Sequence, residues 1–93
     1  MIIAVDYDGT LKNDEGLNLG LIGRLRKAQL NGNIVILWTC RDGKRLQEAV
    51  KKLRSVGFAP NYVNENCPEA IRILGHNPRK VFADVYIDDK AIR

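Results

Sequence analysis

Two aspartates one residue apart, Asp6 and Asp8, stand with Tyr7, Gly9 and Thr10 directly behind an apolar run at residues 1–5. Two carboxylates, a glycine and a hydroxyl at the point where a strand opens into a loop are the parts of a phosphoryl-transfer site. The same residue types also build ordinary turns, so the segment gains weight only from what the rest of the chain delivers. A second apolar run, residues 34–38, ends in Thr39, and a third strand-like stretch, Val85-Tyr86-Ile87, ends in the acidic pair Asp88-Asp89. In open parallel sheets the C-terminal edge of the strands is where ligands bind. If the first and last strands are neighbours about 4.8 Å apart, Asp6, Asp8, Asp88 and Asp89 converge there. Like charges about 4 Å apart repel by about 4 kcal/mol in a partly buried site, and an oxygen-rich, thiolate-free cluster suits a hard cation as the offset, Mg²⁺ above all. The competing reading is a solvated acidic rim.

The elements that must position these residues are legible as periodic patterns. Asn18 is placed to cap a helix carrying Leu21, Ile22, Leu25 and Ala28, which stops at Asn31-Gly32. Gly20 and Gly23 each weaken it by up to about 1 kcal/mol relative to Ala. Asp42 is placed to cap a second helix whose apolar stripe is Leu46, Ala49, Val50, Leu53 and Val56 and whose end is Gly57. Its start lies three residues beyond Thr39, and the N–H groups at a helix start suit an anion. Residues 61–63 read as a short strand, and Pro68 opens a short helix closed by Gly75. Strand and helix alternate throughout, which calls for a parallel sheet covered by helices through right-handed crossovers. Residues 6–16 are the one long irregular stretch and a candidate flap over the strand ends.

Ninety-three residues, 45% hydrophobic and 28% charged, suit one compact soluble domain with nothing disordered about its composition. No apolar run approaches the roughly 20 residues of a membrane span, and no signal-peptide pattern precedes the first strand; a cytoplasmic location and no membrane partner are expected. The net charge of +4 resides mostly on Arg24, Arg26, Lys27, Lys44, Arg45, Lys51, Lys52 and Arg54, on helix faces that read as solvated surface rather than as a nucleic-acid footprint. Cys40 and Cys67 fit neither a metal motif nor a disulfide framework and read as free thiols.

Taken together, Asp6-Tyr7-Asp8-Gly9-Thr10, Leu37-Trp38-Thr39 and Tyr86-Ile87-Asp88-Asp89 resemble, in order and over essentially the whole chain, the motifs of the haloacid dehalogenase superfamily of phosphatases. The resemblance implies an α/β fold: a three-layer Rossmann-like core with a parallel sheet of strand order 3-2-1-4, helices on both faces, and a single domain over residues 1–93 without a cap. It further implies that Asp6 is the nucleophile and that Asp8 protonates the leaving oxygen and then activates water, the surrounding negative charge keeping Asp8 protonated. It assigns Thr39 to a phosphoryl oxygen, and Mg²⁺ to Asp6, Asp88 and the Asp8 backbone carbonyl, with Asp89 orienting a metal-bound water. The superfamily also expects a phosphate-neutralising lysine after the third strand, where this chain has Asn64-Glu65-Asn66. Lys80 is the nearest candidate and reaches the site only if residues 80–83 are loop, with Asn64 and Asn66 then adding hydrogen bonds.

Other side chains carry weaker expectations. Arg41 either reaches substrate phosphate beside Thr39 or pairs with Asp42 or solvent. Trp38 reads as core, Tyr7 as filling the space under the flap, and His76 as an exposed loop residue. Asp84 is excluded from the cluster, because four residues of extended strand set it roughly 13 Å from Asp88. A chain stopping shortly after the acidic pair leaves a sheet edge open to a second copy, and the lack of a cap leaves water to be excluded by a partner or by a bulky substrate. The expected function is Mg²⁺-dependent hydrolysis of a phosphomonoester, on a small molecule or a polynucleotide end. The alternatives are a receiver-like phosphoacceptor or a scaffolding module of the same fold. The order of the motifs argues against the receiver, which carries its phosphorylated Asp after the third strand.

Overall fold

In a computed structural model, which describes residues 1–77 and 81–88, the chain forms β1 (Ile2–Val5), β2 (Lys12–Asn13), β3 (Gly16–Leu17), α1 (Leu19–Leu30), β4 (Ile34–Leu37), α2 (Gly43–Ser55), β5 (Tyr62–Val63), α3 (Pro68–Leu74) and β6 (Val85–Ile87). Four strands make one parallel sheet in the order β5-β4-β1-β6. Counting only those four along the chain, the order is the expected 3-2-1-4. Lys80 and Asp89 lie outside the described residues.

Alternation along β1 and β4 decides how this sheet is covered. Successive side chains point to opposite faces, so Ile3, Val5, Val35 and Leu37 share one face, where Ile22 and Leu25 of α1 and Ala49 and Leu53 of α2 close over them. Ala4 and Ile36 share the other, packed with Val81 and Ala83. Strands buried on both faces need the near-continuous apolar runs that these are. The Cα radius of gyration, 12.8 Å, is that of a compact unit of about 100 residues. No helix among the described residues is long and apolar enough to cross a membrane.

Local chemistry sets three of the helix ends. Asn18 Oδ1 accepts the Leu21 N–H at 3.1 Å and so caps α1. Pro68 opens α3, and Gly75 closes it in the left-handed conformation with its N–H on Ile71 O. Asp42, however, stands at the start of α2 without a side-chain capping bond. That helix is held by its apolar stripe rather than by its cap.

Two further expectations are corrected. Residues 6–16 are irregular only in part: β2 and β3 form a two-stranded antiparallel hairpin, anchored by the fully buried Leu11 and by Lys12 and Thr10, whose N–H groups both reach Tyr7 O. Trp38 is not core. The strand ends at Leu37, and Trp38, 38% exposed, lies edge-on to Tyr86 with ring centroids 5.8 Å apart.

A clasp closes the segment before β6. Asn66, buried before α3, accepts the Phe82 N–H at 2.6 Å and donates to Asn77 Oδ1 at 2.9 Å. The Tyr86 hydroxyl bonds Val81 O and accepts from the Ala83 N–H. Asp84 closes the N-terminal end of the sheet, its carboxylate accepting the Ile2 N–H at 2.7 Å and its own N–H reaching Ile2 O at 2.8 Å. It therefore belongs to the opposite edge from Asp88, as expected. Residues 81–84 form no strand, as the expected loop before β6 requires.

Candidate active site

Register sets the level of each candidate. Val5 pairs with Ile87 on one side and with Leu37 on the other, so Asp6, Asp88 and Trp38 are the next residues out of three neighbouring strands. The Asp6 N–H continues the ladder onto Ile87 O at 3.0 Å. Asp6 is half-buried, and its Oδ1 accepts the Tyr7 N–H at 2.8 Å, which fixes one carboxylate oxygen at the strand end. Asp88 is likewise half-buried. Gly9, at φ +80°, supplies the left-handed turn that folds the chain back, its N–H bonding Lys12 O at 2.8 Å.

Thr39 begins the loop into α2. Its Oγ1 accepts the Arg41 N–H at 3.2 Å, and its own N–H is bound by Asn64 Oδ1 at 2.8 Å. Asn64 adopts φ +54°, a conformation that Asn tolerates better than most residues. The assignment of Asn64 to substrate phosphate is thereby corrected in part: its side-chain oxygen orients the Thr39 loop. Asn66, given the same role, is spent on the clasp.

Arg41 makes a two-point charged contact beside this level. Its Nε and Nη2 bind the two carboxylate oxygens of Asp8 at 2.8 Å each, and its Cζ lies 4.8 Å from the Tyr7 ring centroid. Bidentate guanidinium–carboxylate pairs match in geometry as well as charge. The Asp8 side chain is 52% exposed and that of Arg41 14%. This partner was not among those expected for Arg41, because nothing local in sequence joins residues 33 apart across two loops.

The consequence for Asp8 reverses the sequence-based expectation. The hydrogen bonds from Arg41 hold its carboxyl below the usual carboxylate range, and the charges of Arg41, Arg45 and Lys12 act in the same direction. Asp8 is thus ionised in this state rather than kept protonated by surrounding negative charge. Tyr7, buried beneath Arg41, has its hydroxyl pushed up by burial, with the Arg41 charge opposing.

Among the described residues no three His, Cys, Asp or Glu side chains gather as a metal group. Of the four carboxylates expected to converge, Asp6 and Asp88 stand at one level, Asp8 is turned to Arg41, and Asp89 lies outside the described residues. Two carboxylates and a backbone carbonyl are all-oxygen donors of the kind Mg²⁺ uses with several waters. Thr10 Oγ1 is buried with no hydrogen-bond partner among the described residues. His76 is exposed, as expected, and Cys40 and Cys67 are both free thiols.

No protein-family model and no curated protein matches this chain. A solved structure of a conserved protein from Bacteroides thetaiotaomicron superimposes with a TM-score of 0.83, at 31% sequence identity over 98% of this chain and 77% of the other. At that identity and mutual coverage, the chain belongs to the same family as this conserved Bacteroides thetaiotaomicron protein.

Proposed function

We propose that this protein is a capless, Mg²⁺-dependent phosphatase of the haloacid dehalogenase type, hydrolysing a phosphomonoester through an aspartyl-phosphate on Asp6. One observation carries the reading: the β1–β6 register sets Asp6 and Asp88 one residue beyond the paired Val5 and Ile87, beside the Thr39 loop. The three-layer core belongs to the same proposal. The crossover from β5 to β6 runs back across the sheet, and a right-handed connection in that direction carries α3 over the face opposite α1 and α2.

In this mechanism the Asp6 carboxylate attacks phosphorus. The bond from phosphorus to the ester oxygen breaks, and that oxygen leaves with a proton from Asp8. Water then attacks phosphorus, gives its proton to Asp8, and the bond to Asp6 breaks to release phosphate. Asp6, Asp88 and the Asp8 carbonyl would hold Mg²⁺, which when bound neutralises charge on the phosphoryl oxygens. Thr39 donates its hydroxyl to a phosphoryl oxygen. Arg41 has two roles: in the resting state it holds Asp8, and a phosphoryl dianion competes for its guanidinium, leaving Asp8 to take up the proton that the first step needs. Lys80 would complete charge neutralisation if its side chain folds back.

The Arg41–Asp8 pair is also the observation that favours the alternative, a non-enzymatic phosphate-binding or scaffolding module in which that pair is permanent. Release of phosphate from para-nitrophenyl phosphate separates the two readings. The phosphatase reading predicts Mg²⁺-dependent turnover that falls by on the order of 10⁴-fold or more in Asp6→Asn. Absence of turnover at any Mg²⁺ concentration, or turnover unchanged in Asp6→Asn, contradicts it.

A further inference from the structure

Trp38 is the one tryptophan of the chain, and its ring lies beside the proposed nucleophile. The Trp38 N–H continues the β1–β4 ladder onto Val5 O at 2.9 Å, as the Asp6 N–H continues the β1–β6 ladder onto Ile87 O. Val5 and Tyr7 both pack into the core on the α1 and α2 side, so alternation directs Asp6, between them, to the face that carries Ala4. Trp38 is on that face too. Its ring meets that of Tyr86, which packs with Ala4 and Ile36, at a centroid distance of 5.8 Å.

β4 and β6 flank β1, and strands on either side of a third stand about 9.6 Å apart, so the two rings must lean toward each other across β1. Trp38 starts from the level of Asp6, and Tyr86 from that of Ala4. The rings therefore meet over β1 between those two residues, where the small Ala4 side chain leaves room. Tyr86 is fixed from its far end, its hydroxyl bound to Val81 O and to the Ala83 N–H. Edge-on contact at an interplanar angle of 63° passes that order on to Trp38. A single exposed apolar side chain is ordinary. This one, 38% exposed, is an aromatic wall ordered at the phosphoryl site before any ligand arrives.

We infer that Trp38 is a stacking platform for a planar ring in the leaving group, which makes the substrate a nucleoside monophosphate unit, free or at a polynucleotide end. The inference rests on the phosphatase reading for the position of the phosphate. In-line displacement sets the leaving oxygen on the far side of phosphorus from Asp6, so a ring joined directly to that oxygen points away from the sheet. A ring several bonds further on, as a base is beyond its sugar, can fold back onto Trp38. Stacking needs only a π face, so the platform separates ring from no ring and tolerates any base.

Hydrolysis of adenosine 5′-monophosphate and of ribose 5-phosphate, which lacks the base, tests it with Mg²⁺ present, because general damage to a variant cancels in the ratio of the two. The wild type is expected to favour the nucleotide in kcat/KM by about tenfold or more, expressed in KM. That preference falls to near unity in Trp38→Ala and is restored in part by Trp38→Phe. With a single tryptophan in the chain, fluorescence excited beyond the absorption of the base reports the contact directly. In Asp6→Asn it should be quenched by adenosine 5′-monophosphate and not by ribose 5-phosphate. A 5′-phosphorylated oligoadenylate, measured alongside, tells a polynucleotide end from a free nucleotide by which has the higher kcat/KM. Equal kcat/KM for nucleotide and sugar phosphate, or a preference unchanged in Trp38→Ala, overturns the inference; turnover of para-nitrophenyl phosphate in that case leaves the phosphatase reading standing. Quenching by the nucleotide without turnover of any phosphomonoester overturns the phosphatase reading and keeps Trp38 as the ring-binding wall of a binding module. Neither turnover nor quenching sinks both.

Discussion

The two ends of the sheet use the same residue types for opposite purposes. At the N-terminal end Asp84 spends its carboxylate on the Ile2 backbone N–H, and Asn66, in the connection from β5 to α3, likewise spends its side chain on the Phe82 N–H. At the C-terminal end Asp8 spends its carboxylate on a side chain, Arg41, reached across two loops. A backbone partner cannot leave without unfolding its segment, whereas a guanidinium can exchange one anion for another by rotating a few bonds. The first arrangement fixes architecture, and the second leaves a charge available for exchange. Asn64 stands between the two cases: it too binds a backbone N–H, that of Thr39, but the loop it holds is the one that would carry the phosphate contact.

The largest expected effect falls on the exchangeable end. Asp8→Asn should slow hydrolysis of an alkyl phosphate by about 10²–10⁴-fold, and para-nitrophenyl phosphate much less, because that leaving group departs without needing a proton. Steady-state rates on the two substrates measure the difference; equal losses on both would mean that Asp8 acts otherwise than as a proton donor.

An intermediate effect is expected where a side chain holds a backbone N–H. Asn66→Ala leaves the Phe82 N–H without its acceptor and should destabilise the fold by about 1–3 kcal/mol. Urea unfolding reads that loss directly. A loss near zero would show that the clasp is no more committed than the Arg41–Asp8 pair.

Arg41→Ala should cost least in stability, less than about 1 kcal/mol, because the pair is exposed on the Asp8 side. Its pH dependence has a definite sign. Asp8 has its folded pKa depressed by Arg41, so the pair's contribution is present above the unfolded carboxylate value, about 3.9, and is lost as pH falls through the lower folded value. The stability difference between wild type and Arg41→Ala, followed by urea unfolding, should therefore be constant near neutrality and vanish in strong acid. A difference that grows as pH falls would contradict the pairing.

How much of this was legible in the sequence divides along the same line. Strand runs, helix stripes and the Asn18, Pro68 and Gly75 signals depend on neighbours a few residues away, and the structure has them within a residue or two of the expected positions. The β2–β3 hairpin was not legible, because two-residue strands are too short to show a period. Trp38 was misread because the strand stops one residue before it, and boundaries carry little signal of their own. The Arg41–Asp8 pair and the Asn66 clasp join residues distant in sequence, where no spacing rule applies. Of the candidate site, the positions of Asp6 and Asp88 were legible because each directly follows a strand, and a parallel register turns that position in sequence into a shared level in space; Thr39 stands one residue further out, in the loop after β4.

The central claim is that Asp6 is phosphorylated during turnover. The most direct measurement is acid quenching of Asp8→Asn during reaction with a phosphomonoester and Mg²⁺, followed by proteolysis and mass spectrometry of the peptide containing Asp6. A phosphoryl group on Asp6 is expected, accumulated because water activation is impaired and absent when Asp6 is also replaced by Asn. Phosphate release with the phosphoryl group on another residue, or on none, would contradict it.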